Sequence, residues 1–325
     1  PGAFHQFGRA SATPFWMAGK NGKFWSAVVA MMVVQFAFGG YAVVCSFFKD
    51  VMPNPVLFSL LRDVSTFPIL LGAAGCIEGI VWPSAEDLLI LCAFGAIGMY
   101  GNQVLFILGL FNAGGDVASM MQPTIPVLAA ILAIVFRTEA PPVLCIADRA
   151  GARNRRVVLA GWLRVVGIVL VAAGGTIISY FTQKQTGATH AHVHAHNRTT
   201  CASSSKGGST TVGIIMLFGN CLCCAVYIIL QKKYIFNAAT PLATKWKFKP
   251  VNLTAWTYLF GALFMALHTL SFVWSCPSVF TINAETLYPL LYAALLSSAL
   301  AYALITYSNS VLSSSLVTAF WPVQV

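Results

Sequence analysis

Long apolar runs separated by short polar connections dominate the chain. Nine such segments can be marked: Phe24–Phe48, Val56–Val81, Leu88–Leu110, Ala118–Phe136, Leu163–Phe181, Thr211–Leu230, Leu253–Trp274, Leu287–Tyr307 and Val311–Val325. Each of the first eight holds about 20 residues or more, enough to cross a hydrocarbon core of about 30 Å as a helix. The ninth stops at the last residue of the sequence. Hydrocarbon offers no water to satisfy backbone N–H and C=O groups, so an isolated spanning segment of this kind is helical. The pattern predicts an all-α polytopic membrane protein with the bilayer as its solvent.

The polar residues between the runs are not evenly shared. Fourteen of the nineteen Lys/Arg residues fall on alternate connections. With a cytoplasmic N-terminus, that side holds Arg9, Lys20 and Lys23, then Arg137, Arg149, Arg153, Arg155, Arg156 and Arg164, then Lys232, Lys233, Lys245, Lys247 and Lys249. The opposite side holds Lys49, Arg62, Lys184, Arg198 and Lys206. Positive charge is retained on the cytoplasmic side, so the N-terminus is expected there. In this frame Asn197-Arg198-Thr199 is a non-cytoplasmic glycosylation sequon, whereas Asn252-Leu253-Thr254 is cytoplasmic and silent.

Composition changes little in this picture. Hydrophobic residues make up 58% and charged residues 9%, too few charges for the polar shell of a soluble domain. The formal charge of +10 sits at the ends of spans, which argues against a nucleic-acid partner. The nine cysteines lack paired CxxC spacing, and no metal site or cofactor is expected. Cys221, Cys223 and Cys224 lie inside an apolar run, where Cys serves as a small hydrophobe. Cys201 and Cys276 both fall on the non-cytoplasmic side, where a disulfide is chemically open to them. No cleavable signal peptide is evident, and a chain that begins at Pro1 is expected to lack its natural start.

Residues 182–211 form the one long polar stretch, with His190, His192, His194 and His196 alternating before a Ser/Gly run. It separates five spans from four. The organisation expected is a cytoplasmic segment 1–23, a first five-helix repeat 24–181, a non-cytoplasmic linker 182–211 and a second repeat 212–325 that stops in its ninth helix. An odd number of spans before the linker inverts the second unit relative to the first, the usual build of secondary carriers. Weak internal similarity agrees: Asp116–Pro126 can be laid over Ser315–Val325 with Pro322 on Pro123. A tenth span would complete the second unit, so the chain is read as a fragment.

Several stretches carry a family likeness. They are Val34-Gln35-Phe36-Ala37-Phe38-Gly39-Gly40-Tyr41, Leu61-Arg62-Asp63 followed by Pro68, and the series Gly98, Asn102, Gly109-Leu110, Ala118-Ser119, Pro126 and Phe136-Arg137-Thr138-Glu139. Ala225–Lys233, Tyr302, Ser313–Ser315 and Phe320-Trp321-Pro322 continue the set. In that order they resemble the drug/metabolite transporter superfamily, specifically EamA-type, nodulin-like, walls-are-thin-related carriers of plants and algae. The resemblance runs from about Trp25 to Val325. It implies a ten-helix carrier of small organic solutes such as amino acids or auxin-like acids. Three features depart from it: a longer, more basic 140–156, the expanded His/Ser linker and the missing tenth helix.

Polar side chains in lipid-spanning helices tend to face the interior. Gln35, Asn102, Gln103, Gln122, Tyr302 and Trp321 are the candidate substrate contacts, with helix–helix hydrogen bonding as the plainer account of each. Gln122 leads, because Pro123 and Pro126 free backbone carbonyls beside it; a simple proline kink explains the same residues. Pro123, Pro126 and Pro322 are the expected breaks. Arg62 and His268 are candidates for coupling. Arg62 with Asp63 reads either as a buried ion pair or substrate-carboxylate anchor, or, more plainly, with Arg62 at the interface snorkelling outward; His268 reads also as a structural histidine. No Asp, Glu or Lys stands out at mid-span, which leaves the driving force open. The Gly39-Gly40, Gly95/Gly98/Gly101 and Gly174-Gly175 positions suit close helix packing.

The function expected is secondary transport of small organic metabolites by alternating access, with a small solute and the lipid bilayer as partners and homo-oligomerisation left open. A divalent-metal carrier using the histidine tract and a non-transporting receptor or scaffold are the alternatives. No nucleophile–base pair or paired mid-membrane carboxylates argue for an enzyme. The location expected is the plasma membrane or a vacuolar or other internal membrane.

Overall fold

The computed structural model describes residues 20–47, 54–114, 117–118, 121–139, 162, 165–167, 169–170, 173, 177, 210–275 and 284–324. All regular structure among them is helical. The chain is an all-α polytopic membrane protein. Six helices are long and apolar enough to span a bilayer: Gly22–Tyr41, Pro55–Ile77, Ala85–Leu110, Thr211–Phe236, Pro250–Ser271 and Ala284–Val311. Thr124–Val135 and Ser314–Val323 are shorter apolar helices. Of the expected fifth span, residues 165–167, residues 169–170, Ala173 and Ile177 are described, each helical, as is Trp162 just before it.

The helices are numbered α1 (Lys20–Phe47), α2 (Pro55–Ile77), α3 (Ala85–Phe94), α4 (Asn102–Ala113), α5 (Thr124–Val135) and α6 (Thr210–Gln231). Then follow α7 (Pro241–Trp246), α8 (Pro250–Ser275), α9 (Leu287–Tyr292), α10 (Ala301–Val311) and α11 (Ser314–Thr318). A π turn, Gly95–Gly101, joins α3 to α4 in one span, and a second, Ala293–Leu300, joins α9 to α10.

Local sequence explains the helix ends. The Asn54 side chain accepts the Val56 N–H at 2.9 Å, and Pro55 opens α2 with its φ already helical. The helix stops at Ile77, short of the apolar run's end at Val81, because Gly79 turns the chain at a φ of 72°. A capping box of Ser84 and Asp87 starts α3: Asp87 Oδ2 accepts from the Ser84 N–H at 2.7 Å. The first N–H groups of α8 are satisfied from outside the helix. Glu78 accepts from Val251 N at 3.0 Å and from Asn252 N at 3.0 Å.

Phe36, Phe47, Leu89, Val135, Ile215 and Leu267 are exposed, as suits side chains solvated by lipid. Inside, α2 packs along α8, α1 along α10, α4 along α6, and α5 against both α6 and α11. These pairings exchange with one another when the first four spans are set on the last four. α1 with α10 corresponds to α6 with α4, while the α2–α8 and α5–α11 pairs map onto themselves. In one gapless register Ala85 falls on Ala284, Gly95 on Ala294, Gln103 on Tyr302 and Pro123 on Pro322. The two π turns coincide within a residue under that register.

Two expected spans differ from a continuous helix. Between Met121 and Thr124 the chain makes a turn at Gln122-Pro123, and α11 gives way to a turn at 319–320 and a 3₁₀ turn, Trp321–Gln324. In each case the proline cannot donate the N–H that would continue the ladder. Pro126 is instead accommodated in the first turn of α5. Residues 1–19, the basic 140–156, Arg164, Gly174-Gly175, the histidine tract, Asn197, Cys201 and Cys276 lie outside the described residues.

Candidate functional site

Two ionisable residues sit deep in α2. Asp63 is 0% exposed, and the side chain of Arg62 is 12% exposed. Arg62 Nε donates to Asp63 Oδ1 at 3.3 Å, and Gln103 Nε2 of α4 donates to the same oxygen at 3.3 Å. Asp63 Oδ2, Gln103 Oε1 and Arg62 Nη2 are buried with no hydrogen-bond partner among the described residues. Tyr41 of α1, Tyr258 of α8 and Tyr302 of α10 lie within electrostatic reach of Arg62.

The neighbouring contacts extend this cluster across the spans. Asn102 Nδ2 donates to Tyr302 Oη at 3.3 Å. Asn220 of α6 donates to the Asn102 carbonyl at 2.7 Å and to the Asn102 side-chain oxygen. The Tyr302 ring meets Tyr258 edge-on at 5.5 Å and Phe38 of α1 at 6.2 Å. Gly98, in the π turn, makes the approach of α6 feasible, since a Cβ there would lie 2.3 Å from the Tyr227 ring. Depth follows from helix rise: Asp63 lies about 12 Å from the start of α2, and Tyr302 about 13.5 Å from the end of α10. Both positions are well inside the hydrocarbon of a bilayer about 30 Å thick. Asp63 and Tyr258 also hold the same place in their helices, counted from Pro55-Val56 and Pro250-Val251.

Donors, acceptors and aromatic faces thus converge at mid-depth, an arrangement suited to gripping a polar solute. The chain is similar to several known plant proteins. WALLS ARE THIN 1 of Arabidopsis thaliana is 26% identical over 305 residues, spanning 91% of this chain and 72% of that protein. A WAT1-related protein of the same plant is 24% identical over 299 residues, spanning 91% and 72%. An auxin-induced protein of Pinus taeda is 23% identical over 312 residues, spanning 91% and 68%. Its homologues are WAT1-related proteins. No protein-family model matches the sequence.

The WAT1-related proteins are plant nodulin-like, EamA-type members of the drug/metabolite transporter group, so this chain has membrane transporters as its kin. Among the residues singled out from the sequence, Asn102, Gln103, Tyr302 and Arg62 come together in the cluster. The expectation that Arg62 snorkels outward is overturned: its side chain is only 12% exposed and pairs with Asp63, as the buried ion-pair reading had it. No Asp, Glu or Lys stands out at mid-span in the sequence, and Asp63 is the fully buried carboxylate that the structure places inside α2. Gln35 of α1 is buried with both amide atoms unpartnered among the described residues.

No hydrogen bond joins the Gln122 side chain to the cluster among the described residues. The Met121 carbonyl beside it accepts from the Cys221 thiol at 3.2 Å, and Cys221 follows Asn220. Trp321 is buried and shares a packed core with Ile125 and Tyr258. His268 stands apart, about 15 Å along α8 from Tyr258, with Nδ1 3.2 Å from Tyr100 Oη. Asn252, read as an unused sequon, is fully buried, and its amide donates to Glu78 at 2.9 Å and to the Gly79 carbonyl at 3.0 Å. Sequence reasoning named Asp63 only as a partner for Arg62, and it missed Tyr258. The Pro-Val starts of α2 and α8 hold the clue, because they put the two residues in the same place in paired helices.

Proposed function

We propose that the protein carries small organic metabolites across a membrane by alternating access, binding them among Arg62, Asp63, Asn102, Gln103, Tyr258 and Tyr302. One observation carries this reading: Arg62, Asp63 and Gln103, joined through Asp63 Oδ1, each keep a buried polar atom without a partner among the described residues. Buried polar groups are ordinarily hydrogen-bonded, so a ligand that offers both donors and acceptors would complete them. Carboxylic acids and amino acids have that chemistry. Arg62 supplies a planar donor fork for a carboxylate, and Asp63 an acceptor for an ammonium or hydroxyl.

Two halves of inverted topology, before and after residues 182–211, would rock about the α2–α8 contact. The exchangeable helix pairings and matched π turns support that scheme. In this reading the N-terminus is cytoplasmic, in a plasma, vacuolar or other internal membrane, as the charge distribution argues.

The test is uptake and efflux of a broad metabolite panel by the full chain in lipid vesicles. At least one solute is expected to move faster than in protein-free vesicles, and Gln103→Leu to slow it by about tenfold. A Gln122→Ala variant reports whether the break beside Met121 takes part. A panel in which nothing moves would overturn the carrier reading.

A further inference from the structure

The charge balance of the cluster has a consequence for what must accompany the solute. Arg62 stays protonated under all physiological conditions. The carboxylate against it is Asp63, so the pair is neutral overall. Of the elements packed on α2, α4 offers the uncharged Gln103, α8 offers Tyr258, and the π turn Ala293–Leu300 contains no titratable side chain. Tyr41 and Tyr302 face the pair from α1 and α10, while Tyr292 of α9 is turned to the Ala37 carbonyl. Phenols carry no charge at neutral pH.

A monocarboxylate that docks on Arg62 Nη2 puts two negative charges against one positive in a site with no water exposure at Asp63. An uncompensated buried charge is strongly disfavoured, and a proton on the carboxyl removes it. The atom to receive the proton is free: Asp63 Oδ2 has no partner among the described residues, and neither has Gln103 Oε1, an acceptor for the resulting O–H. A zwitterion is different. Its ammonium satisfies Asp63 Oδ2 and Gln103 Oε1 while its carboxylate meets Arg62, and the site stays neutral with no proton added.

We infer that Asp63 is the proton acceptor of the site, so that a monocarboxylate crosses with one proton held on Oδ2 and a zwitterion crosses with none. This rests on the carrier reading above. The step moves one proton from the side on which the site is open to the opposite side, where proton and carboxylate leave together; no covalent bond of the solute changes.

The experiment uses the full chain in vesicles holding a pH-sensitive dye, with lactate and pyruvate as monocarboxylates, alanine and glutamine as zwitterions, and protein-free vesicles as the passive background. For wild type, lowering the outside pH by one unit is expected to raise the initial rate of monocarboxylate uptake by up to about tenfold, with about one proton entering per solute, and to leave zwitterion uptake unchanged. Asp63→Asn is expected to abolish the pH response of whatever monocarboxylate uptake remains, and to lower zwitterion uptake by about tenfold or more. Asp63→Glu, which keeps the carboxylate, is expected to retain the response. Monocarboxylate uptake by wild type that ignores pH, or a response that survives Asp63→Asn, would overturn the inference while leaving the carrier reading standing. If Asp63→Asn gives no monodisperse protein in detergent, the wild-type proton count decides alone. If neither solute class moves, the carrier reading fails on these probes and the inference falls with it.

Discussion

Glu78 and Asn252 are locked together at the junction of α2 and α8: Glu78 Oε2 accepts both the Asn252 backbone N–H at 3.0 Å and its side-chain amide at 2.9 Å. One carboxylate thereby ends one helix and begins another that lies far away in sequence. Hydrogen bonds to a charged acceptor contribute more than neutral ones, and a helix N-terminus favours negative charge. Glu78→Ala should cost about 2 kcal/mol of stability, and Glu78→Gln about half of that. Thermal unfolding in detergent measures both; equal midpoints for wild type and Glu78→Ala would refute the role.

Two glycines of different surroundings make a paired test. A Cβ on Gly98 meets the Tyr227 ring at 2.3 Å, whereas a Cβ on Gly72 of α2 meets nothing within 4 Å. Gly98→Ala should destabilise by about 1–3 kcal/mol through overpacking. Gly72→Ala should be neutral or stabilising by up to about 1 kcal/mol, since Ala is the better helix former. The same unfolding assay separates them, and a harmless Gly98→Ala would show that α6 has room to move away.

Asp87 and Lys245 form an ion pair whose two ends are not equal. Asp87 is buried and also accepts from the Ser84 N–H at 2.7 Å and its hydroxyl at 2.9 Å, while the Lys245 side chain is 30% exposed. Removing Asp87 therefore loses a helix cap as well as the pair. Asp87→Ala should cost about 2 kcal/mol and Lys245→Met less than about 1 kcal/mol. A double-mutant cycle in low and high salt checks this: only the coupling part should shrink with salt.

Tyr302→Phe keeps the ring against Tyr258 and Phe38 but deletes the hydroxyl that accepts from Asn102. The expected result is an unfolding midpoint close to wild type and a half-saturating solute concentration raised by about three- to tenfold. Loss of folding with no separate effect on transport would make Tyr302 a packing residue only.

Glycosylation mapping tests the orientation. Asn197 should acquire an enzymatically removable sugar in a eukaryotic membrane, seen as a mobility shift that Asn197→Gln abolishes. Asn252 should stay unmodified in either orientation, because it is buried against Glu78. The absence of sugar there therefore says nothing about sidedness.

The spans themselves were legible because lipid-facing length and apolarity are properties of each segment alone. The six long helices fall on the runs read from the sequence. The interior of the bundle was less so. Arg62 lies only a few residues inside its apolar run, and sequence distance from a run's edge does not reveal whether a neighbour covers the side chain. Gln103 covers Asp63 from forty positions away in the chain, a relationship no hydropathy period encodes. Asn252 was read through its three-residue sequon, yet its role is set by a carboxylate on another helix. The proline breaks were visible as prolines, but whether a helix bends or stops there depends on what takes up the freed carbonyl, as Cys221 does for Met121.

The two π turns fix the rotational phase of the helices that follow them. Each accommodates a residue beyond the regular α ladder, and one residue is worth about 100° of rotation around the axis. The direction in which Asn102, Gln103 and Tyr302 point is thus decided one to two helical turns earlier, at Gly95–Gly101 and Ala293–Leu300. The spans can exchange one apolar residue for another with little consequence for aim. The loss of a single residue from either turn would leave hydropathy and span length almost untouched, yet swing the polar side chains of the cluster off its axis.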